Sequence, residues 1–164
     1  MTEPRVVATG HSWLGAGTGS VDSALEDLMR EAKREVQVAA YRVTTSASDF
    51  LRLLNARLDA GVRVFLVVNR LDAQDGPIQA SLRDLAKRYA HFELYDFRPK
   101  GDREDLHAKV IIVDRERALL GSANLTGRGL VANHELGVVL SGKIARELSV
   151  ALDKLVQSPD AVRV

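Results

Sequence analysis

Residues 36–43 (VQVAAYRV) and 62–68 (VRVFLVV) are two largely apolar runs rich in β-branched side chains, and they limit the possible folds more than any other feature of the chain. Runs of this length and composition read as buried strands. Between them Phe50, Leu51, Leu54 and Leu58 recur at helical spacing, residues 44–48 offer several N-caps, and Gly61 ends the helix. Strand, helix and strand in succession form the unit of a layered α/β sheet. The alternation extends in both directions. Residues 6–8 predict a short strand and 10–19 a Gly/Ser/Thr-rich loop. Leu25, Leu28, Met29 and Ala32 then predict a helix, with Ser23 and Glu26 at capping-box spacing. Downstream come a loop over 72–77, a helix over 78–90 with Leu82 and Leu85 inward, a strand over 92–95 and a polar, partly basic loop over 97–105. Strands over 106–113, 118–120 and 135–140, with a loop at 121–129, add an antiparallel or mixed portion. A helix over 144–156 carries Ile144, Leu148, Leu152 and Leu155 on one side. The expected fold is α/β, a mixed sheet of about six to eight strands with helices on both faces. One domain spans 1–164, with an N-terminal strand and Gly-rich loop over 1–20 and the core over 20–157.

Composition excludes several chemistries. A chain of 164 residues without cysteine can form no disulfide, no thiolate metal site and no thiol nucleophile. Lys plus Arg is 23 against 22 for Asp plus Glu, so an anionic ligand must be held by a local patch rather than by bulk charge. The opening MTEPRVVATGHSW lacks the pattern of a secretory signal. No run approaches the ~20 apolar residues that span a bilayer, so the expected location is the cytoplasm.

The chemistry concentrates in residues 106–140 (LHAKVIIVDRERALLGSANLTGRGLVANHELGVVL). His107 and Lys109 lie two apart on a predicted strand, which puts both on one face. Residues 110–113 are wholly apolar, and unpaired charge at the mouth of such a strand is costly unless it lines an anion site. Lys109 would neutralise that anion as a point charge, and His107 could attack or shuttle protons near neutral pH. In the sequence Gly121-Ser122-Ala123-Asn124, the glycine permits close backbone approach, while Ser122 and Asn124 offer a hydroxyl and an amide to phosphate oxygens. Glu135 is either a carboxylate that orients an imidazole through its second N–H or an exposed strand residue. Asp114 is either part of the site or a turn cap.

His107-x-Lys109, Asp114 after four residues and Gly121-Ser122-x-Asn124 after six more resemble the HxKxxxxDxxxxxxGSxN signature of the phospholipase D superfamily. The lead-in from residue 36 resembles the family's strand–helix–strand, so the likeness runs from about residue 20 to 155. It implies a metal-independent phosphodiesterase in which His107 forms a covalent phosphohistidine. Lys109 and Asn124, with Ser122 assisting, hold the non-bridging oxygens; Asp114 is mainly structural; Glu135 orients His107. No cofactor or metal is implied. The family's chemistry uses two histidines, and His11, His91 and His134 each lack a lysine two residues on. The resemblance therefore implies a homodimer with one shared site, as in small bacterial single-motif nucleases. It points to a nuclease acting on DNA in preference to RNA, with a helicase or ATPase of a restriction or defence system as the candidate partner. The alternatives are a phospholipase or other lipid phosphodiesterase, for which no amphipathic membrane-binding segment is present, and a non-catalytic nucleic-acid-binding subunit. Arg98, Lys100, Arg103 and Arg128 could follow a nucleic-acid backbone, although Asp102, Glu104 and Asp105 dilute the cluster. Tyr41 and Trp13 are candidates for base stacking or for packing. The sequence GAGTG at 15–19 fits no established phosphate loop, and no special role is expected of His91 or His134.

Overall fold

The computed structural model describes residues 3–13, 15, 17–101 and 104–164. Its strands are β1 (Arg5–Thr9), β2 (Gly19–Ser20), β3 (Glu35–Ala40), β4 (Arg63–Asn69), β5 (Phe92–Phe97), β6 (Val110–Val113), β7 (Arg117–Gly121), β8 (Glu135–Ser141) and β9 (Ala161–Arg163). The α-helices are α1 (Val21–Glu31), α2 (Ser48–Asp59), α3 (Gly76–Arg88) and α4 (Lys143–Val156). They build one mixed sheet of order β2-β1-β8-β7-β6-β3-β4-β5-β9. The run β3-β4-β5 is parallel, as strand–helix–strand crossovers require. The run β3-β6-β7-β8-β1 is antiparallel throughout. The sheet has nine strands, more than the sequence implied, because a two-residue and a three-residue strand at its edges are too short to leave a periodic signal.

Strand alternation divides the core in two. Val38, Val64 and Leu66 face Leu25, Leu28, Phe50, Leu54 and Leu82 of α1, α2 and α3. On the other face Phe65, Val67 and Ile112 meet Ala145 and Leu152 of α4. Phe50, Leu28 and Leu54 are fully buried, and each such side chain contributes about 1.5–3 kcal/mol.

Three boundaries differ from expectation. The N-cap of α1 is Ser20, whose Oγ accepts the Ser23 N–H at 3.3 Å. Glu26 is instead an i,i+4 partner of Arg30. The α3 helix starts at Gly76 with Pro77 in its first turn, where a missing N–H costs nothing. The β6 ladder begins at Val110, not at residue 106, because its partner β3 ends at Ala40 and the chain then turns towards an isolated Val43–Leu125 bridge. His107 and Lys109 thus stand just ahead of the strand. His107 is exposed.

Relative strand directions fix what meets at one end of the sheet. The C-terminal ends of β1, β3, β4 and β7 lie beside the N-terminal ends of β6 and β8. Strand ends are where side chains can leave the ladder and converge on a ligand.

Candidate active site

Lys109 is tied to its surroundings through backbone and side chain alike. Its carbonyl accepts the Gly121 N–H at 3.2 Å. Its Nζ lies 3.1 Å from His107 Nδ1 and donates to the His107 carbonyl at 3.0 Å. The two side chains therefore do share one face. Burial pushes the Lys109 ammonium below its ordinary pKa, and the nearby Glu135 carboxylate partly restores it. The Tyr41 ring, just past the end of β3, lies 4.5 Å from the His107 ring at 46°, with Lys109 Nζ 5.3 Å from its centre.

The segment leading into His107 is clamped by the end of β4. Asn69 Oδ1 accepts the Leu106 N–H at 2.8 Å, and Asn69 Nδ2 donates to Asp105 at 3.1 Å. Arg70 bonds the same carboxylate at 3.0 Å. The Arg70 bond, then the Asn69 bond, hold the Asp105 carboxyl below the usual range.

The second half of the site rests on a close strand approach. Gly121 faces Gly137 across β7 and β8, and a Cβ on Gly121 would lie 2.6 Å from the Leu136 carbonyl oxygen. Only glycine admits the backbone this near. Directly beyond it, the Ser122 N–H donates to the Leu136 carbonyl at 2.9 Å, and Ser122 Oγ accepts the Leu136 N–H at 3.1 Å while donating to Glu135. Asn133 also donates to Glu135, at 3.3 Å. Among the described residues, His107 bonds Lys109 while Glu135 bonds Ser122 and Asn133. Asn124 lines one cavity with Tyr41, Lys109 and Gly121, and its Oδ1 is buried without a hydrogen-bond partner. An amide oxygen can only accept, so Asn124 would meet a phosphate oxygen through its Nδ2 donor and not through this atom.

Asp114 lies at the far end of β6, away from this cluster. Asp114 and Arg115 both have positive φ (52° and 61°), and Glu116 N–H donates to the Val113 carbonyl at 3.0 Å, closing the turn that joins β6 to β7. The Asp114 carboxylate accepts the N–H groups of Lys33, Arg34 and Glu35 at 3.0, 2.7 and 2.9 Å. Burial alone would raise its pKa. The three donors and the Arg34 charge outweigh burial and hold it below the usual carboxylate range.

The remaining candidates disperse. Arg98 is paired with Asp96 and Asp72. Lys100 and Arg128 are exposed, and Arg103 lies outside the described residues, as do Leu14 and Ala16 of the Gly-rich loop. His91 is bonded to the Leu58 carbonyl at 2.9 Å. His134 packs against Gly10, whose φ is 111°, and bonds Ser12 Oγ at 2.8 Å, latching the N-terminal loop to the start of β8. Sequence reasoning missed Asn69 and Arg70 as supports and missed the Tyr41–His107 contact. The one signal for Asn69 was a polar side chain closing a β-branched strand. Among the described residues no group of three or more His, Asp and Glu side chains is placed to hold a metal ion, and no helix is long and apolar enough to cross a membrane.

A sheet of this topology with the histidine–lysine and Gly-Ser-x-Asn segments meeting at its strand ends is that of a phospholipase D-like protein. Residues 25–156 match the family described as "Cardiolipin synthase, PLD-like domain", and the chain belongs to that family. It is 28% identical over 153 residues to the DISARM protein DrmC of Bacillus paralicheniformis, covering 93% of this chain and 62% of DrmC. It is also 28% identical over 157 residues to the 5′-3′ exonuclease PLD3 of Rattus norvegicus, covering 87% of this chain and 29% of PLD3. The chain thus spans less than two thirds of each of these relatives. In fold it resembles Nuc from Salmonella typhimurium, a phospholipase D family member, with a TM-score of 0.76, 22% identity and 99% of each chain covered.

Proposed function

We propose that the chain is a metal-independent nuclease that hydrolyses DNA, with RNA as the second substrate class, through a phosphohistidine on His107 at a site shared by two copies. The observation that carries this reading is the convergence of His107, Lys109, Gly121, Ser122, Asn124 and Glu135 on one end of the sheet. The likeness to a protein named as an exonuclease supports nucleic acid as the substrate. In the first step, with Lys109 drawn away by substrate and the ring proton on Nδ1, His107 Nε2 bonds to phosphorus. The bond from phosphorus to the leaving oxygen breaks, and that oxygen takes a proton from His107 of the second copy. In the second step water attacks the phosphohistidine, giving its proton back to that second histidine and releasing His107. Lys109 and Asn124 stabilise the charge on the non-bridging oxygens, Ser122 assists, and Glu135 orients the nucleophile once substrate has drawn Lys109 away.

An uncovered apolar strip supports the dimer. Val6, Val138 and Leu120 lie opposite one another across β1, β8 and β7, and Leu136 shares their face. The α4 helix covers Ala118 and Leu140 farther along but leaves Val6 49%, Leu120 39% and Leu136 44% exposed. Leu120 and Leu136 directly adjoin Gly121 and Glu135, so a two-fold contact here would bring two sites together.

The deciding experiment incubates the protein with single- and double-stranded DNA and RNA in excess EDTA, beside His107→Ala. Cleavage that resists EDTA and falls about a thousandfold or more in the variant is expected. Turnover of a phospholipid with no cleavage of any nucleic acid would overturn the reading.

A further inference from the structure

We infer that Tyr41 is a positioning residue for both halves of the catalytic pair, its ring face holding the His107 imidazole and the Lys109 ammonium in one arrangement. The inference rests on the reading of His107 as nucleophile. His107 is exposed and stands outside the ladder, so strand pairing does not fix its ring. Its only hydrogen-bonding neighbour among the described residues is Lys109, a long side chain that must leave to meet an incoming phosphate. At that moment the proposed hold of Glu135 is a single polar contact at one ring atom, which leaves the plane of the imidazole unfixed, and misplacement by about 1 Å can cost a hundredfold in rate. Tyr41 supplies a second contact. Its ring lies 4.5 Å from the imidazole at a tilt of 46°, within the range of favourable aromatic pairs. Lys109 Nζ lies 5.3 Å from the ring centre, within cation–π range.

The sequence places Tyr41 where this is possible. β3 ends at Ala40, one residue beyond the Ala39–Val110 pair, so Tyr41 lies past the ladder beside the segment that precedes β6. The flanking backbone is pinned: Leu125 N–H donates to the Arg42 carbonyl at 3.1 Å, and Gln74 Nε2 donates to the Tyr41 carbonyl at 3.2 Å. The ring is thus carried on a fixed support beside His107. The ring face, not the hydroxyl, does the positioning, which separates this role from acid–base participation.

The test compares Tyr41→Phe and Tyr41→Leu in the full chain, with NMR of the His107 ring protons beside steady-state cleavage of an oligonucleotide. The ring current of Tyr41 shifts those protons upfield. Phe should keep that shift and keep kcat within about twofold. Leu should lose the shift and lower kcat about 10- to 100-fold, with KM changed far less. A Leu variant with wild-type kcat would overturn the inference, as would a Phe variant as impaired as Leu. The NMR comparison stands even if the Leu variant is inactive through poor folding, because Phe must still preserve the shift. Failure of the nucleophile reading would show separately, as cleavage that survives His107→Ala.

Discussion

At the scale of single residues, Lys109 and Glu135 are coupled by charge, and the coupling has a sign that can be read out. Burial lowers the pKa of the Lys109 ammonium, and the Glu135 carboxylate opposes that fall. On the proposed role of Lys109, phosphate binding needs the ammonium charged, so activity should be lost as pH rises through the Lys109 value. In Glu135→Gln the opposing charge is gone, and the alkaline limb of kcat/KM should move to lower pH. A limb that stays in place would mean that the charge of Lys109 does not govern turnover. The contact between Lys109 and His107 bears on the same chemistry. A charged amine can only donate, so Nδ1 accepts, and a neutral ring then carries its proton on Nε2. That tautomer cannot attack. On the proposed mechanism a phosphate that draws Lys109 away would free Nδ1 to take the proton and leave a lone pair on Nε2, so that substrate itself would ready His107 for attack.

At the scale of elements, the β6–β7 hairpin anchors the start of β3 from the end opposite the site. The Asp114 pKa is depressed in the folded chain, so its stabilisation is present above the unfolded carboxylate value of about 3.9 and is lost as pH falls through the folded value. Asp114→Ala leaves three backbone donors without their acceptor and should cost about 1–3 kcal/mol at neutral pH by chemical denaturation. The gap between variant and wild type should narrow below about pH 4. Gly121→Ala should also destabilise, by about 1–3 kcal/mol, because the added methyl meets strand backbone that can yield only by parting β7 from β8. A variant as stable as wild type would show that the strands separate at no cost. These elements also show what the sequence could reveal. Strands β3 and β4 and the helix between them were legible because their apolar periodicity is set by burial on the sheet. The signature residues were legible because their spacing is fixed along one segment and depends on no contact between distant parts of the chain. The early end of β3 was not, since it depends on where the chain turns to meet Leu125, and neither was the Tyr41 contact, which joins the segment just past β3 to the one just ahead of β6.

At the scale of the whole molecule, the apolar strip on β1, β7 and β8 is the surface to perturb. Leu136→Asp places a charge at its centre and should shift the protein from dimer to monomer in analytical ultracentrifugation, with cleavage falling in step. A fully active monomer would sink the shared-site reading. The strip also bears on inheritance. If two chains complete each site, an inactive copy that still pairs removes working copies from use. Co-expression of equal amounts of wild type and His107→Ala would leave only about a quarter of the pairs with two intact histidines. A loss-of-function allele of this kind would be dominant, whereas one that destroys the strip would be recessive, because its product could no longer reach the intact chain.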